Sequence, residues 1–239
     1  MLSFVLARRD YKESDQMITL FTVEKGKIEV LAKGVKKVIS KNSAFLEPFF
    51  LVEADIIEGK EFFRLTTATP VESFKEIRVD WQKSILAGYA CEILNCLLSN
   101  NSPENKIFKL FFSYLKFLSE AKEVSRIFGI AFLWKLFSLQ GYLPNLDSCV
   151  ICGEEYDLNF FASSNGGLAC NNCKAKNFEL QKAILLKEQD KENLKMLVRN
   201  DWSEIKLNKD NIKKQEQILF DFCSYHSQKK VSPLNPLLE

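Results

Sequence analysis

Residues 149–173 read CVICGEEYDLNFFASSNGGLACNNC, and this stretch decides how the second half of the chain folds. Its four cysteines form two pairs, Cys149-x-x-Cys152 and Cys170-x-x-Cys173, with seventeen residues between the pairs. Two intervening residues let both sulfurs of a pair reach one ion, and the longer insert can fold back to bring the pairs together. The spacing therefore predicts a four-thiolate Zn²⁺ site with these four cysteines as ligands. Asn165-Gly166-Gly167 predicts a hairpin turn inside the insert.

The predicted metal is structural, because four thiolates complete a tetrahedral shell and leave no position for water or substrate. A zinc deaminase would need a ligand histidine followed by a glutamate in an H-x-E arrangement. The single histidine, His226, is followed by Ser227 and Gln228, so this class is excluded. A redox dithiol is the other reading of a C-x-x-C pair, but it needs only one pair and a βαβ context that the sequence lacks. No paired catalytic constellation is present, and we expect no enzymatic activity.

The composition is that of a globular protein with room for two domains: 239 residues, 46% hydrophobic and 27% charged, with a formal net charge of +2. No apolar run approaches the roughly eighteen residues of a transmembrane helix. The first nine residues are too short, and charged too early, for a signal peptide. Beyond the four metal-site cysteines, Cys91, Cys96 and Cys223 lie among apolar or helical residues. Buried free thiols in a reducing cytoplasm are expected.

The first eighty residues predict a small β-barrel. Five runs rich in aromatic and β-branched residues are bounded by turns at Lys25-Gly26 and Glu58-Gly59-Lys60. The predicted strands are residues 2–9, 16–23, 27–33, 49–57 and 62–69. Five short strands of this length fit a barrel of the OB type, with an SH3-like barrel as the alternative, since spacing alone does not determine topology.

Beyond Asp80 the apolar residues recur at helical spacing. Ser102 and Pro103 predict the N-cap and first residue of the second helix. The predicted helices span residues 81–98, 105–119, 124–140, 179–186, 188–200 and 210–226. Nine of the twenty phenylalanines fall within predicted helices, and their core spacing favours packing over base stacking. The sequence thus predicts an α+β protein: an OB-type domain over residues 1–79, then a helical domain over residues 80–239 carrying a zinc module at about 146–176.

Positive charge is concentrated in one part of the predicted barrel. Between Lys25 and Lys41 there are six lysines and one acid, Glu29. A local basic stretch on a small barrel is typical of a phosphate-binding surface, although a solvated lysine-rich loop is an equally common explanation. The candidate DNA-binding residues are Arg8, Arg9, Lys33, Lys36, Lys37 and Lys41.

Several segments in the same order resemble the bacterial RecO family of recombination mediators. They are residues 8–15 (RRDYKESD), 20–27 (LFTVEKGK), 32–37 (AKGVKK) and 46–49 (LEPF), followed by 141–144 (GYLP) and the glycine-flanked cysteine pairs. After Lys36-Lys37 the family usually continues with more basic residues and a Ser-Arg pair, whereas this chain reads Val38-Ile39-Ser40-Lys41.

The resemblance implies an N-terminal OB domain, a helical C-terminal domain with structural zinc, and a cytoplasmic role in DNA repair without turnover. It also implies binding of single- and double-stranded DNA, strand annealing, and loading of the RecA recombinase together with RecR. Contact with the acidic, apolar C-terminal tail of single-stranded-DNA-binding protein (SSB) is implied as well. We further expect a monomer that associates with the nucleoid during repair. The alternative is a zinc-stabilised protein-interaction adaptor that makes no direct DNA contact.

Overall fold

The structure is a computed structural model that describes residues 1–37, 43–206 and 209–226. It divides into two compact units, Met1–Val124 and Ser125–Glu239. The last barrel strand ends at Glu72, so the whole barrel lies within the first unit. The domain boundary predicted at residues 79–80 falls between two helices of this unit and stays a prediction. In the described ranges, no helix is both long and apolar enough to cross a membrane.

The first unit is built on a closed five-stranded barrel with the strand order β1-β2-β3-β5-β4. β1 and β4 are antiparallel and close the barrel, while β3 and β5 are parallel through Val30–Phe63 and Leu31–Arg64. The insertion of β5 between β3 and β4 is a Greek-key order, as in OB-type barrels. This confirms the predicted α+β class and its OB-type barrel. The strands are β1 (Leu2–Asp10), β2 (Gln16–Thr22), β3 (Gly26–Ala32), β4 (Leu51–Ile57) and β5 (Phe63–Glu72).

The barrel interior is filled by alternate residues of each strand, because successive side chains of a strand point to opposite faces. Val5, Ile18, Val30 and Val52 are fully buried there. The opposite face of β1 carries Phe4, which packs against the helices that follow the barrel. Burial of apolar surface stabilises a fold by about 25 cal/mol per Å², and these two apolar faces are therefore the main source of the unit's stability.

Three helices complete the first unit: α1 (Lys75–Val79), α2 (Trp81–Leu97) and α3 (Asn105–Glu120). Asp80 caps α2 by accepting a hydrogen bond from the Lys83 backbone N–H. The apolar stripe of α3 lies on the barrel, since the rings of Phe108 and Phe111 are each 4.8 Å from the ring of Phe4.

The predicted N-cap of α3 is wrong, although the helix begins at Asn105, as in its predicted span. Glu104, not Ser102, precedes the helix, and it makes no side-chain capping bond. The physical reason is a tertiary contact: the Asn101 N–H donates to the Lys27 carbonyl, and Asn100 forms a parallel bridge with Lys27. These bonds draw the chain before Pro103 along the barrel edge, so Ser102 cannot turn into the helix.

The second unit contains α4 (Ile127–Leu139), which is buried on nearly every side, as its sequence predicted. A small antiparallel sheet follows, with the order β7-β6-β8. Trp134 of α4 lies 6.3 Å from Phe161 of β6 and 5.0 Å from Phe222 of the last helix, between ring centroids. The elements are β6 (Phe160–Ala162), β7 (Gly167–Ala169), α5 (Asn171–Lys176), β8 (Ile184–Leu185), α6 (Glu188–Arg199) and α7 (Lys209–His226).

The helix predicted over residues 179–186 is also wrong. A short 3-10 helix, Phe178–Lys182, is followed by β8, in which Ile184 pairs with Phe161 of β6. The open edge of β6 offers backbone hydrogen bonds that a lone two-turn helix would not replace, and this pairing outweighs the local helical pattern. Of the remaining thiols, Cys91 and Cys223 are buried as predicted, whereas Cys96 is half-buried.

Candidate metal centre and nucleic-acid interface

The four cysteines come together in the second unit. Cys149 and Cys152 lie in the loop before β6, Cys170 follows β7, and Cys173 lies in the first turn of α5. Their four sulfur atoms are all within 4.8 Å of one another. The Sγ atoms of Cys152 and Cys170 are 3.8 Å apart, which is the edge expected of a sulfur tetrahedron with metal–sulfur bonds of about 2.3 Å. The cluster is therefore able to bind a metal ion.

Backbone turns set the sulfurs in place. The Gly153 N–H donates to the Cys149 carbonyl, and Gly153 adopts a φ of +81°, a left-handed conformation that favours glycine. The β6–β7 hairpin then returns the chain, so that the Cys170 N–H donates to the Cys149 sulfur at 3.4 Å. The Cys173 N–H makes the same contact with the Cys170 sulfur at 3.4 Å. Such N–H groups stabilise thiolates and orient metal ligands.

The hairpin of the module is held by the last helix of the unit. The Nε2 atom of His226 lies 2.7 Å from the Ser163 carbonyl, and its ring stacks at 4.3 Å from Phe222. Arg199 of α6 forms an ion pair with Asp147, just before the first cysteine, at 2.6 Å. The single histidine thus packs against the metal module, and the four clustered ligand candidates are all cysteines.

The acidity of the thiols differs across the cluster. Burial opposes ionisation of Cys149, but backbone N–H groups of Cys152, Cys170 and Ile151 outweigh it and lower the pKa of this thiol to about 6. Hydrogen bonding to Cys152, followed by burial, raises the pKa of Cys173 to about 12. The Cys149 sulfur is thus ready to bind as a thiolate at neutral pH, whereas the Cys173 thiol must give up its proton to a metal.

The five predicted DNA-binding residues that the structure describes lie at one end of the barrel, but they do not share a single face. Arg8 pairs across the sheet with Ile18, a residue of the barrel interior, while Arg9 pairs with Met17 on the outer face. Arg8 approaches Glu47 at 2.5 Å, and Arg9 approaches Glu29 at 3.2 Å. Lys36 approaches Asp10 at 2.8 Å, and the hydrogen bond from Lys36 lowers the pKa of that carboxyl.

Two of the predicted lysines remain available. Lys33 and Lys37 are exposed and form no ion pair with any residue in the described ranges. Their turn is fixed to the β1–β2 turn, since the Gly34 N–H donates to Asp15 Oδ1 at 2.7 Å and the Lys36 N–H donates to the Ser14 carbonyl at 3.1 Å. Lys41 lies outside the described residues. Exposed ion pairs contribute about 0–1 kcal/mol, so phosphates can replace the carboxylate partners of Arg8, Arg9 and Lys36.

Sequence reasoning missed two aromatic residues at this end of the barrel. Tyr11 lies in the β1–β2 turn and Phe62 directly before β5, and their ring centroids are 5.9 Å apart. The signal was present in the sequence: Tyr11 stands between Asp10 and Lys12 in a predicted turn, and Phe62 follows Glu61 at the start of a predicted strand.

A separate apolar groove of about 500 Å³ lies in the same unit. It runs between strand ends and α3, with Lys109 and Glu72 as its charged lining residues. Its other lining residues are Leu2, Val23, Leu51, Val71, Phe108 and Phe112.

The barrel and the four-cysteine helical unit define a class of protein with an OB-type module joined to a metal-binding helical half. Comparison with known families is specific: the model for the N-terminal part of recombination protein O matches residues 3–74, and that for its C-terminal part matches residues 78–233. The chain belongs to the RecO family of DNA repair proteins.

Individual relatives agree with this assignment. The chain is 33% identical to DNA repair protein RecO of Thermoanaerobacter sp. (strain X514) over 177 residues, covering 74% of this chain and 71% of the relative. It is 34% identical to that of Bacillus pumilus (strain SAFR-032) over 176 residues, covering 72% and 67%. It is 28% identical to DNA repair protein RecO of Bifidobacterium animalis subsp. lactis (strain AD011) over 235 residues, covering 98% of this chain and 96% of the relative.

Proposed function

We propose that this protein is a non-enzymatic DNA-binding and strand-annealing recombination mediator. It would help load recombinase onto SSB-coated single-stranded DNA together with RecR. The supporting observation is that a RecO-family chain presents two exposed lysines, Lys33 and Lys37, on a turn of an OB-type barrel, and that neither forms an ion pair within the described ranges. Cations there would neutralise phosphates of two strands and allow them to approach each other. Residues 1–79 serve DNA contacts in this proposal, and residues 80–239 form the helical domain that carries the zinc module.

The metal of the four-cysteine cluster is Zn²⁺ in this proposal, with Cys149, Cys152, Cys170 and Cys173 as its ligands and a structural role. Four thiolates at tetrahedral spacing are the donor set that Zn²⁺ prefers. Partners are single- and double-stranded DNA, RecR and the C-terminal tail of SSB. The protein acts as a monomer in the cytoplasm and joins the nucleoid during repair.

The decisive experiment is annealing of complementary oligonucleotides coated with SSB, with and without RecR and without nucleotide. Annealing that requires ATP, or no annealing at all, would contradict the proposal. Binding of a single strand should be measured in parallel as a function of salt. Neutralisation of about five phosphates gives a slope of log affinity against log salt near −3.5.

The variant Lys33→Ala/Lys36→Ala/Lys37→Ala should weaken binding to all sequences alike and reduce the magnitude of this slope by about 2. A matched control removes three exposed lysines of α3 in the same unit, Lys106, Lys109 and Lys116, and should leave the slope unchanged. An unchanged slope in the first variant would remove the Lys33–Lys37 turn from the contact surface.

The apolar groove favours a second candidate function, a protein-interaction adaptor with no direct DNA contact. Its lining of Leu2, Val71, Phe108 and Phe112 suits apolar side chains of a peptide. Filter binding of DNA at low salt with no partner present separates the two functions, since an adaptor of this kind retains no DNA.

A further inference from the structure

Tyr11 and Phe62 form an aromatic pair at the end of the barrel where the lysines lie. Their rings meet edge to face, with an interplanar angle of 75°. Tyr11 is 37% exposed, Phe62 is half-buried, and neither belongs to the barrel core. Two turns that are fifty residues apart in sequence therefore present adjoining aromatic surface to solvent.

These two turns are the β1–β2 and β4–β5 connections. In OB-type barrels, the face of strands 2 and 3 and these two connections bind oligonucleotides. The outer face beside the pair carries a row of directly paired residues across four strands: Arg9, Met17, Leu31 and Arg64. Arg9 and Arg64 at the two ends of this row are exposed, whereas Met17 and Leu31 between them are buried, so only the cationic ends can contact a ligand.

Several cations lie near the aromatic pair. The Lys12 Nζ atom lies 5.5 Å from the Tyr11 ring centroid. Lys33 and Lys37 project from the turn that is hydrogen-bonded to Ser14 and Asp15, in the same connection as Tyr11. Arg64, two residues after Phe62, is exposed and has no ion pair within the described part of the chain.

Carboxylates also lie next to Phe62. A cavity of about 390 Å³ there is lined by Glu29, Glu58 and Glu61, of which Glu29 is paired with Arg9 and Glu58 with Lys25. Phosphates are therefore attracted more strongly to the turn of Lys33 and Lys37, which form no ion pair within the described ranges, than to this cavity. Base and backbone are thus assigned to different places: aromatic surface for the base, and the Lys12, Lys33 and Lys37 side for the phosphates.

We infer that Tyr11 and Phe62 stack the bases of a single-stranded nucleic acid whose phosphates lie along Lys12, Lys33 and Lys37, so that this site prefers unpaired strands to duplex. This inference rests on the proposed function and names the form of DNA that the barrel takes. Bases in a duplex are already stacked on one another and cannot reach the two rings. Stacking on aromatic side chains tolerates any sequence because every base has a π-face.

The test compares three probes of equal length by fluorescence anisotropy: a single strand, a single strand of abasic sites, and a duplex. The abasic strand carries the phosphates without the bases, so the wild-type protein should bind it about 5- to 100-fold more weakly than the normal strand. Equal binding of the two strands by the wild-type protein would overturn the inference, and this arm needs no variant.

The variant Tyr11→Leu/Phe62→Leu keeps apolar volume and removes the rings. It should lose about the same 5- to 100-fold in affinity for the normal single strand, with an unchanged salt slope and unchanged binding of duplex and abasic strand. The single variant Tyr11→Leu, at the more exposed position, should show part of this loss. The control Tyr156→Leu replaces an aromatic residue of the second unit that is 66% exposed and should change nothing.

The outcomes separate the two proposals. A wild-type protein that binds none of the three probes contradicts the proposed function itself. A protein that binds all three alike, or a double variant that loses duplex and single strand equally, retains the proposed function and overturns only the role of the two rings.

Discussion

Single residues set the chemistry of the four-cysteine cluster. Cys149 receives backbone N–H groups that lower its pKa to about 6, whereas Cys173 shares a hydrogen bond with Cys152 and has its pKa raised to about 12. The spacing of the cysteines identified all four as candidates, but not this difference. It arises from N–H groups whose directions depend on the folded turns.

These pKa values give a pH dependence for metal retention. Binding requires thiolates, so the metal displaces protons from the less acidic thiols and its affinity should rise with pH above about 6. Below about 6 the Cys149 thiol is also protonated, and retention should fall more steeply. Competition with a chromogenic chelator between pH 5 and 8 measures this. An affinity that does not vary over this range would contradict thiolate ligation.

The same scale explains why charge alone did not separate the candidate DNA-binding residues from one another. Arg8, Arg9 and Lys36 each lie beside a carboxylate that is distant in sequence or across a turn. Lys33 and Lys37 have no such partner among the residues that the structure describes. Charge density along the sequence predicted a basic surface, and only the folded barrel distinguishes the paired cations from the available ones.

At the scale of elements, the barrel was the most predictable part. All five strands lie within two or three residues of their predicted ends, because a half-buried strand must alternate apolar and polar residues. The N-cap of α3 and the segment around Ile184 were not predictable in this way. Both are decided by backbone bonds to a strand elsewhere in the chain, and local patterns carry no information about such bonds.

Gly26 lies at the close contact between the barrel and the segment before α3. Gly26 has a φ of +66°, and a Cβ atom built there would lie 1.9 Å from the Ser102 carbonyl oxygen. Gly26→Ala should therefore lower the free energy of unfolding by more than the about 1–3 kcal/mol of the strained backbone alone. Urea unfolding followed by circular dichroism measures this change.

Gly88→Ala is the matched control. Gly88 lies within α2, and a Cβ atom added there meets nothing within 4 Å. Alanine should raise the free energy of unfolding by about 0.5–1 kcal/mol, because glycine is a poor helix former. Similar effects of the two substitutions would show that the close approach at Gly26 is not a real constraint.

At the scale of the whole molecule, the two compact units give the metal and the barrel separate tasks. Metal-dependent stability should belong to Ser125–Glu239, where the cysteines lie, and salt-dependent DNA affinity to Met1–Val124, where the lysines lie. Structural zinc contributes on the order of 10 kcal/mol in small zinc domains, so its loss should unfold the surrounding module.

Cys170→Ser tests this division. It should abolish stoichiometric metal, measured by elemental analysis, and lower the thermal stability of the second unit, reported by the buried Trp134 next to Phe161. Affinity for single-stranded DNA should stay within about twofold of the wild-type value, since the barrel residues are untouched. Cys96→Ser, outside the cluster, should retain the metal. A loss of DNA affinity in Cys170→Ser with the fold intact would indicate that the metal module contacts nucleic acid.

The sequence by itself determined the barrel strands, most of the helices, the four metal-site cysteines and the RecO family, because periodicity, turn residues and ligand spacing are local properties of the chain. The tertiary structure alone decided the Greek-key closure of the barrel, the replacement of Ser102 by Glu104 as the residue before α3, and the pairing of β8. It also decided which cations carry a carboxylate partner and that Tyr11 meets Phe62. Each of these depends on two segments far apart in sequence approaching each other, and the energy of such contacts appears only when the chain has folded.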